Sequence, residues 1–268
     1  MRHKIIYIIL TALLLNACGS YQRLLKSGTV DEKYTAAKSF FNAKEYVKSA
    51  TLFADIISFY RGAKESEEIM FLLAESYMGQ EDYYSAAAYY KDYVKSYPRG
   101  EFAAQCKYMI GYCYFLDVPD PRLDQDLTIQ AVNALTEYIE LYPEGEKAND
   151  AYRYIAELND KLAYKGLLNA KLYLNLGIYL GNNYRSAIIT AEQALKDYPD
   201  TKFREDLSFV ILSAKYKEAA LSVPEKRAER YSEVIDEFYK YSVEFPDGKN
   251  SREASRILKE AKHYASIK

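Results

Sequence analysis

Three cysteines have chemistry to offer, and their surroundings differ. Cys18 follows a basic start (Arg2, His3, Lys4), an apolar run from Ile5 to Leu15, and then Asn16 and Ala17. That order is the order of a secretory signal, and the run is too short to span a bilayer as a helix. An apolar residue three before the cysteine and a small one directly before it form the pattern of a bacterial lipobox. In that chemistry the Cys18 thiol forms a thioether to diacylglycerol, and the new amino terminus takes an amide-linked chain such as palmitate, with residues 1–17 removed. Two or more acyl chains are what stable anchoring requires. An ordinary secretory peptide carrying a cysteine here, or a short membrane anchor, would share the composition. The coincidence of Cys18 with the end of the apolar run points to lipidation.

Cys106 and Cys113 are seven residues apart in what reads as one helix. At 1.5 Å per residue they stand about 10.5 Å apart along the axis, beyond disulfide reach. With no further Cys or His nearby to complete a metal site, they read as small buried apolar residues. Other catalytic material is scarce. His263 is the one histidine beyond the signal, near the C-terminus, and has no Ser or Cys motif around it. The sequence holds no Gly-rich phosphate loop, no HExxH and no CxxC. Glu67-Glu68 and the Asp124/Asp126 pair have the chemistry for acid-base work, but in a helical chain such pairs read as solvated caps and faces. The expectation is no enzyme, no metal and no cofactor.

These residues sit in a chain of 268, 49% apolar and 28% charged, with 36 Lys plus Arg against 38 Asp plus Glu. Such a chain folds around a packed core, and its net charge of −2 gives no electrostatic reason for a nucleic-acid partner. Only 7 Pro and 11 Gly punctuate it, so long helices are expected.

The punctuation is periodic. Tyr97-Pro98, Tyr142-Pro143, Tyr198-Pro199 and Phe245-Pro246 each close an amphipathic segment, at spacings of 45, 56 and 47 residues. The clearest unit runs Met70, Leu73, Ala74, Tyr77, then Asp82-Tyr83, then Ala86, Tyr90, Tyr93 and Pro98. It resembles the tetratricopeptide pattern: small residues let two antiparallel helices approach, aromatics fill the space beside them, and proline stops the second helix. A preceding unit has Ala36, Ala37 and Phe40, then Tyr46, Ser49, Phe53 and Ile56, and turns at Arg61-Gly62. The third has Gly111 and Tyr114, then Ala131, Leu135, Tyr138 and Pro143, with eight extra residues around Asp117–Asp124, a candidate contact loop. The fourth reads Leu174, Ile178, Tyr184, Ala187, Ala191, Ala194 and Pro199, after a helical stretch from about Lys147 to Leu168. The fifth reads Ala214, Tyr231, Val234, Phe238, Tyr241 and Pro246, with an extra loop expected at Pro224.

The expected fold is therefore all-α, a tetratricopeptide-like α-solenoid of five helix pairs with a C-terminal capping helix from about Ser251 to Tyr264. Residues 18–32 would form a linker, 33–145 a first lobe and 146–268 a second.

The chain has 29 Tyr and no Trp. Tyr77, Tyr83, Tyr90, Tyr93, Tyr114, Tyr138, Tyr184 and Tyr231 fall at repeat-core positions and read as packing residues with hydroxyls at the wet rim. A second aromatic set lies on the first-helix faces of three successive repeats: Tyr34 and Phe41, Phe71 and Met78, Tyr108, Tyr112 and Phe115. These seven are the candidate groove for an extended peptide with aromatic side chains; the alternative is that this face is covered as ordinary core.

Three strings carry a closer likeness: Phe102-Ala103-Ala104-Gln105-Cys106-Lys107-Tyr108-Met109-Ile110-Gly111, Leu123-Asp124-Gln125-Asp126-Leu127-Thr128, and Leu195-Lys196-Asp197-Tyr198-Pro199-Asp200-Thr201-Lys202-Phe203-Arg204-Glu205. With the lipobox and five repeats, they make the chain resemble the BamD family, lipoprotein subunits of the machinery that assembles β-barrels in the outer membrane. The resemblance implies a non-enzymatic scaffold, lipid-anchored to the outer membrane and facing the periplasm. Gly19 agrees, since an Asp there would resemble the enterobacterial inner-membrane retention signal. Implied partners are the POTRA domains of the barrel subunit BamA, held by the C-terminal repeats; unfolded outer-membrane proteins, met by the N-terminal repeats; and other lipoproteins of the machinery. Two other classes share the anchor and repeats: a lipoprotein regulating cell-wall synthesis or division, and a glycan binder, against which the absence of Trp weighs.

Overall fold

The computed structural model describes residues 20–266; the signal segment and Cys18 lie outside the described residues. Residues 20–27 are helical, and eleven further helices follow among the described residues. They are α1 (Val30–Asn42), α2 (Tyr46–Ile56), α3 (Glu65–Gly79), α4 (Tyr83–Ser96), α5 (Ala103–Asp117), α6 (Asp126–Leu141), α7 (Ala148–Leu176), α8 (Asn183–Asp197), α9 (Arg204–Ala220), α10 (Pro224–Glu244) and α11 (Ser251–Ala265). Among the described residues no strand forms, and consecutive helices pair as a tetratricopeptide-like array: five pairs and a final cap.

Local chemistry sets the helix starts. Thr29 and Glu32 form a reciprocal capping box on α1, with Glu32 N–H donating to Thr29 Oγ1 at 3.2 Å and Thr29 N–H to Glu32 Oε2 at 2.8 Å. Asp82 and Asn182 accept from the third residues of α4 and α8. Pro224 occupies the first turn of α10, where its missing N–H costs nothing.

Contacts divide the chain into two units, residues 1–118 with 130–152, and 119–129 with 153–268. In the first, Ala37, Ala50, Leu52, Phe53 and Ile56 pack with Ile69 and Leu73, and a second cluster joins Ala74, Ala86, Tyr90, Tyr93, Cys106 and Ile110. In the second unit, Leu167 and Ala170 of α7, Ala187 and Ala191 of α8, and Leu207 and Ile211 of α9 form one cluster. Another holds Leu212, Tyr231, Val234 and Tyr241 against Ala254, Ile257 and Ala261 of α11.

The four aromatic-proline turns share one construction. The residue three after the aromatic donates its N–H to the aromatic carbonyl: Gly100 to Tyr97 at 3.0 Å, Gly145 to Tyr142 at 3.0 Å, Thr201 to Tyr198 at 3.2 Å and Gly248 to Phe245 at 3.2 Å. At two of them a tyrosine hydroxyl and a glutamate latch the turn. Tyr93 donates to Glu67, which also accepts from the Glu101 N–H at 2.7 Å, and Phe102 N–H donates back to the Tyr93 hydroxyl at 3.1 Å. Tyr241 donates to Glu205 at 2.8 Å, and Glu205 accepts from Asn250 N–H at 3.1 Å. The glycine is needed because a Cβ at Gly100 would stand 2.5 Å from the Tyr93 hydroxyl. At the remaining 3.2 Å turn the tyrosine is replaced by Ala194 and the glycine by Thr201. There the Thr201 hydroxyl does the latching, donating to Asp160 at 2.7 Å while Asp160 also accepts from Lys202 N–H at 3.0 Å.

Several expectations change. The tyrosine hydroxyls of Tyr90 and Tyr93 end on Glu75 and Glu67 rather than at a wet rim, because both rings are fully buried and a buried hydroxyl needs a partner. Residues 20–27 are helix, with Tyr21, Leu24 and Leu25 packed on the first core cluster. Ile178 lies in the α7–α8 turn, exposed, since α7 continues through the expected helical stretch to Leu176. No extra loop forms at Pro224; the added residues lengthen α10 instead. By contacts the first unit runs to Tyr152, and the 119–129 segment groups with the second unit.

Candidate functional site

The residues singled out for binding all lie in the first unit, on α1, α3 and α5. Their helices place them differently along the face. Near the N-terminal ends of α3 and α5, Tyr34 of α1 meets a cleft of about 510 Å³ lined by Lys64, Glu65, Glu67, Glu68, Glu101 and Phe102. Tyr34 donates to Glu68, and Lys38 donates to the same carboxylate at 2.6 Å while its ammonium lies 5.3 Å from the Tyr34 ring centre. Partial burial pulls the Glu68 pKa up, but the hydrogen bonds from Lys38 and Tyr34 outweigh it and hold the carboxyl below its ordinary value. Burial and the Glu68 contact raise the Tyr34 phenol, so it remains a neutral donor.

Phe71 is not available to a ligand. It is 9% exposed, stacked on Phe102 at 4.1 Å with the planes 8° apart. Tyr108 is likewise core, 5% exposed, with its ring edge-on to Tyr138 at 5.5 Å. The other members sit toward the C-terminal ends of their helices and are half-buried. Phe41 meets Tyr46 edge-on at 5.7 Å, and Met78 lies 3.8 Å from the Cys113 sulfur. Tyr112 continues a ladder along α5, stacked on Tyr108 at 5.7 Å and on Phe115 at 6.2 Å. From Phe102 to Phe115 is about 20 Å of helix, so the acidic cleft and the end of the ladder are separate features.

The cleft can therefore accept hydrogen-bond donors, such as the N–H groups of an extended backbone or a basic side chain, between an aromatic ring on either side. A carboxylate would meet like charge there. Glu67 and Glu68, which read as solvated in the sequence, line this cleft together with Glu101. The signal that marks Glu67 is the recurrence of an acid near the first-helix start, at Glu67 and Glu205, ahead of a second-helix tyrosine.

Cys106 and Cys113 are buried free thiols, with Cys113 pushed up to about 12 by burial and the nearby Glu75 charge. Among the described residues no group of three or more His, Cys, Asp and Glu is arranged to hold a metal ion. His263 is exposed on α11, its ring 5.1 Å from that of Tyr264. Asp124 acts as a local cap, accepting from Asp126 N–H at 2.9 Å. The loop before α6 is internally tied: buried Gln125 donates to the carbonyls of Asp120, Leu123 and Asp124 at 2.9, 3.1 and 3.0 Å. Lys165 of α7 donates to Leu123 O at 2.5 Å. No described helix is long and apolar enough to cross a membrane.

Comparison with known proteins places this arrangement. A protein of Aquifex aeolicus, provisionally named outer membrane protein assembly factor BamD, is 25% identical over 253 residues, covering 94% of this chain and 79% of that protein. The outer membrane protein assembly factor BamD of Caulobacter vibrioides is 33% identical over 129 residues, 48% of this chain and 42% of that protein. The YfiO family model, described as outer membrane lipoprotein, matches residues 26–231, which takes in the acidic cleft, the aromatic ladder and three of the four aromatic-proline turns. On that match, extending over well more than half of its length, the chain belongs to the YfiO outer membrane lipoprotein family.

Proposed function

We propose that this chain is an outer-membrane protein assembly factor, a scaffold of the machinery that inserts β-barrels, without a catalytic step of its own. The observation that carries the reading is the family match over residues 26–231, supported by the alignment of nearly the whole chain with the Aquifex protein. Cys18 is the lipid-bearing residue in this reading, tethering the protein to the outer membrane with the helical pairs in the periplasm. In this reading the N-terminal lobe, expected over 33–145, receives substrate, and the C-terminal lobe, expected over 146–268, holds the POTRA domains of the barrel subunit BamA, alongside the machinery's other lipoproteins.

Unfolded barrel proteins are extended and rich in unpaired backbone N–H groups, which suits the acidic cleft at Tyr34, while Tyr112 and Phe115 offer ring faces to alternating apolar side chains. Phe41 and Met78 are further candidates for that contact, and Phe71 and Tyr108 support it from within the core. The test is capture of the tagged, membrane-extracted protein with identification of what accompanies it. The expected companion is an outer-membrane barrel protein with periplasmic domains. Recovery of a peptidoglycan synthase in its place would assign the protein to cell-wall regulation instead.

A further inference from the structure

Three turns within helix pairs place a non-glycine residue at positive φ: Lys44 at 60°, Glu81 at 60° and Leu180 at 54°. This backbone region disfavours any residue bearing a Cβ. In the first two turns the side chain is charged and water is its natural surrounding. In the third it is a leucine, 90% exposed. Its neighbours Ile178 and Tyr179 are 68% and 66% exposed, and Leu172 and Leu176 extend the apolar surface down the end of α7. None of the five packs in a core cluster of the second unit.

The whole stretch from Leu172 to Tyr184 carries no charged residue, and it is bracketed by Lys171 and Arg185. Lys171 has only a loose partner, Asp206 at 3.9 Å. Glu218, which meets Asn182 of the tip at 2.7 Å, also lies 3.7 Å from Arg230. Part of the tip's backbone is tied from within. Gly177 N–H donates to Tyr173 O at 3.1 Å, Tyr179 N–H to Leu176 O at 3.0 Å and Asn183 N–H to Gly177 O at 2.9 Å. The Asn183 amide donates to Tyr179 O at 2.7 Å.

We propose that the α7–α8 tip is a second membrane contact, dipping into the interfacial zone of an anionic lipid leaflet. Ile178, Tyr179 and Leu180 enter the acyl boundary, and Lys171 and Arg185 meet lipid phosphates. Lipid is favoured over a protein partner by two features together. The polar groups present are amides and a phenol, which suit headgroup depth. Cations flank an uncharged apolar segment on both sides, the charge order that an anionic surface attracts. An acyl chain at the N-terminus and an apolar tip in the second unit would together supply two independent membrane signals.

The test uses the full chain, with Cys18→Ser throughout, in vesicles of phosphatidylethanolamine and phosphatidylglycerol. Leu180→Cys is labelled with an environment-sensitive fluorophore, and Lys44→Cys and Glu81→Cys serve as matched turns; the buried Cys106 and Cys113 thiols label poorly. The label at 180 should be quenched by headgroup-nitroxide lipid at least about threefold more than those at 44 and 81. Adding Ile178→Asn and Tyr179→Ser should abolish the difference while the helical circular dichroism stays unchanged. Equal quenching at the three turns overturns the proposal. So does quenching unaffected by the added substitutions, or protection of residue 180 that arises only when periplasmic domains of a barrel protein are supplied, which would make the tip a protein-docking surface.

Discussion

Glu75 brings a carboxyl against the packed centre of α3, α4 and α5, where burial raises its pKa and the Tyr90 hydroxyl, donating at 2.6 Å, offsets this only in part. The folded chain thus holds this proton more tightly than the unfolded one. Stability from this group is greatest at acid pH and is lost as pH rises through the folded pKa. Glu75→Gln keeps an acceptor for Tyr90 and removes the charge, so its urea midpoint should rise at neutral pH and match the parent at the acid end. A lower midpoint at neutral pH would contradict this account. Glu68 has the opposite sign: its lowered pKa adds stability at neutral pH that disappears as pH falls. Tyr93→Phe removes the hydroxyl that joins Glu67 to the Phe102 N–H and should cost about 1–3 kcal/mol in chemical denaturation. A loss near zero would show the latch to be incidental. Periodicity makes Tyr93 and Tyr241 recognisable as core residues. Their acids lie 26 and 36 residues earlier, and no local pattern links groups that meet only after two helices have packed.

Among the elements, repeat spacing predicts the helix pairs well because proline and small residues act locally, each at its own turn or crossing. Pro224 shows the limit. Proline ends the helix before it but equally starts the next, and the sequence around it does not distinguish a longer loop from the longer α10 that forms. The candidate groove was legible in part for a similar reason. The first-helix period groups seven residues of α1, α3 and α5, but Phe71 lies under Phe102, which comes from the next repeat's entry. Leu180 is the element-level anomaly. Leu180→Gly relieves a left-handed leucine that packs on nothing and should raise stability by about 1 kcal/mol, readable as a higher thermal midpoint. An unchanged or lower midpoint would mean that the leucine holds the turn in place.

For the molecule as a whole, five helix pairs and a cap provide extended surface, which suits a protein that holds others. The first unit presents an acid-lined cleft between aromatic rings, and the second presents an apolar tip between cations. The family likeness was visible in the chain because its Tyr198-Pro199-Asp200-Thr201 string serves a turn whose latch depends on Thr201 in place of tyrosine and glycine. In the proposed reading the acyl anchor belongs to Cys18, and Cys18→Ala should release the protein from membranes into the soluble periplasmic fraction wherever the apolar leader is processed. The central claim is that this scaffold serves barrel assembly, and depletion in the living cell tests it most directly by following folded, heat-modifiable β-barrel proteins in the outer membrane. Their level should fall while unfolded forms accumulate, before cell-wall cross-linking changes. Unchanged barrel levels with altered cross-linking would contradict the account.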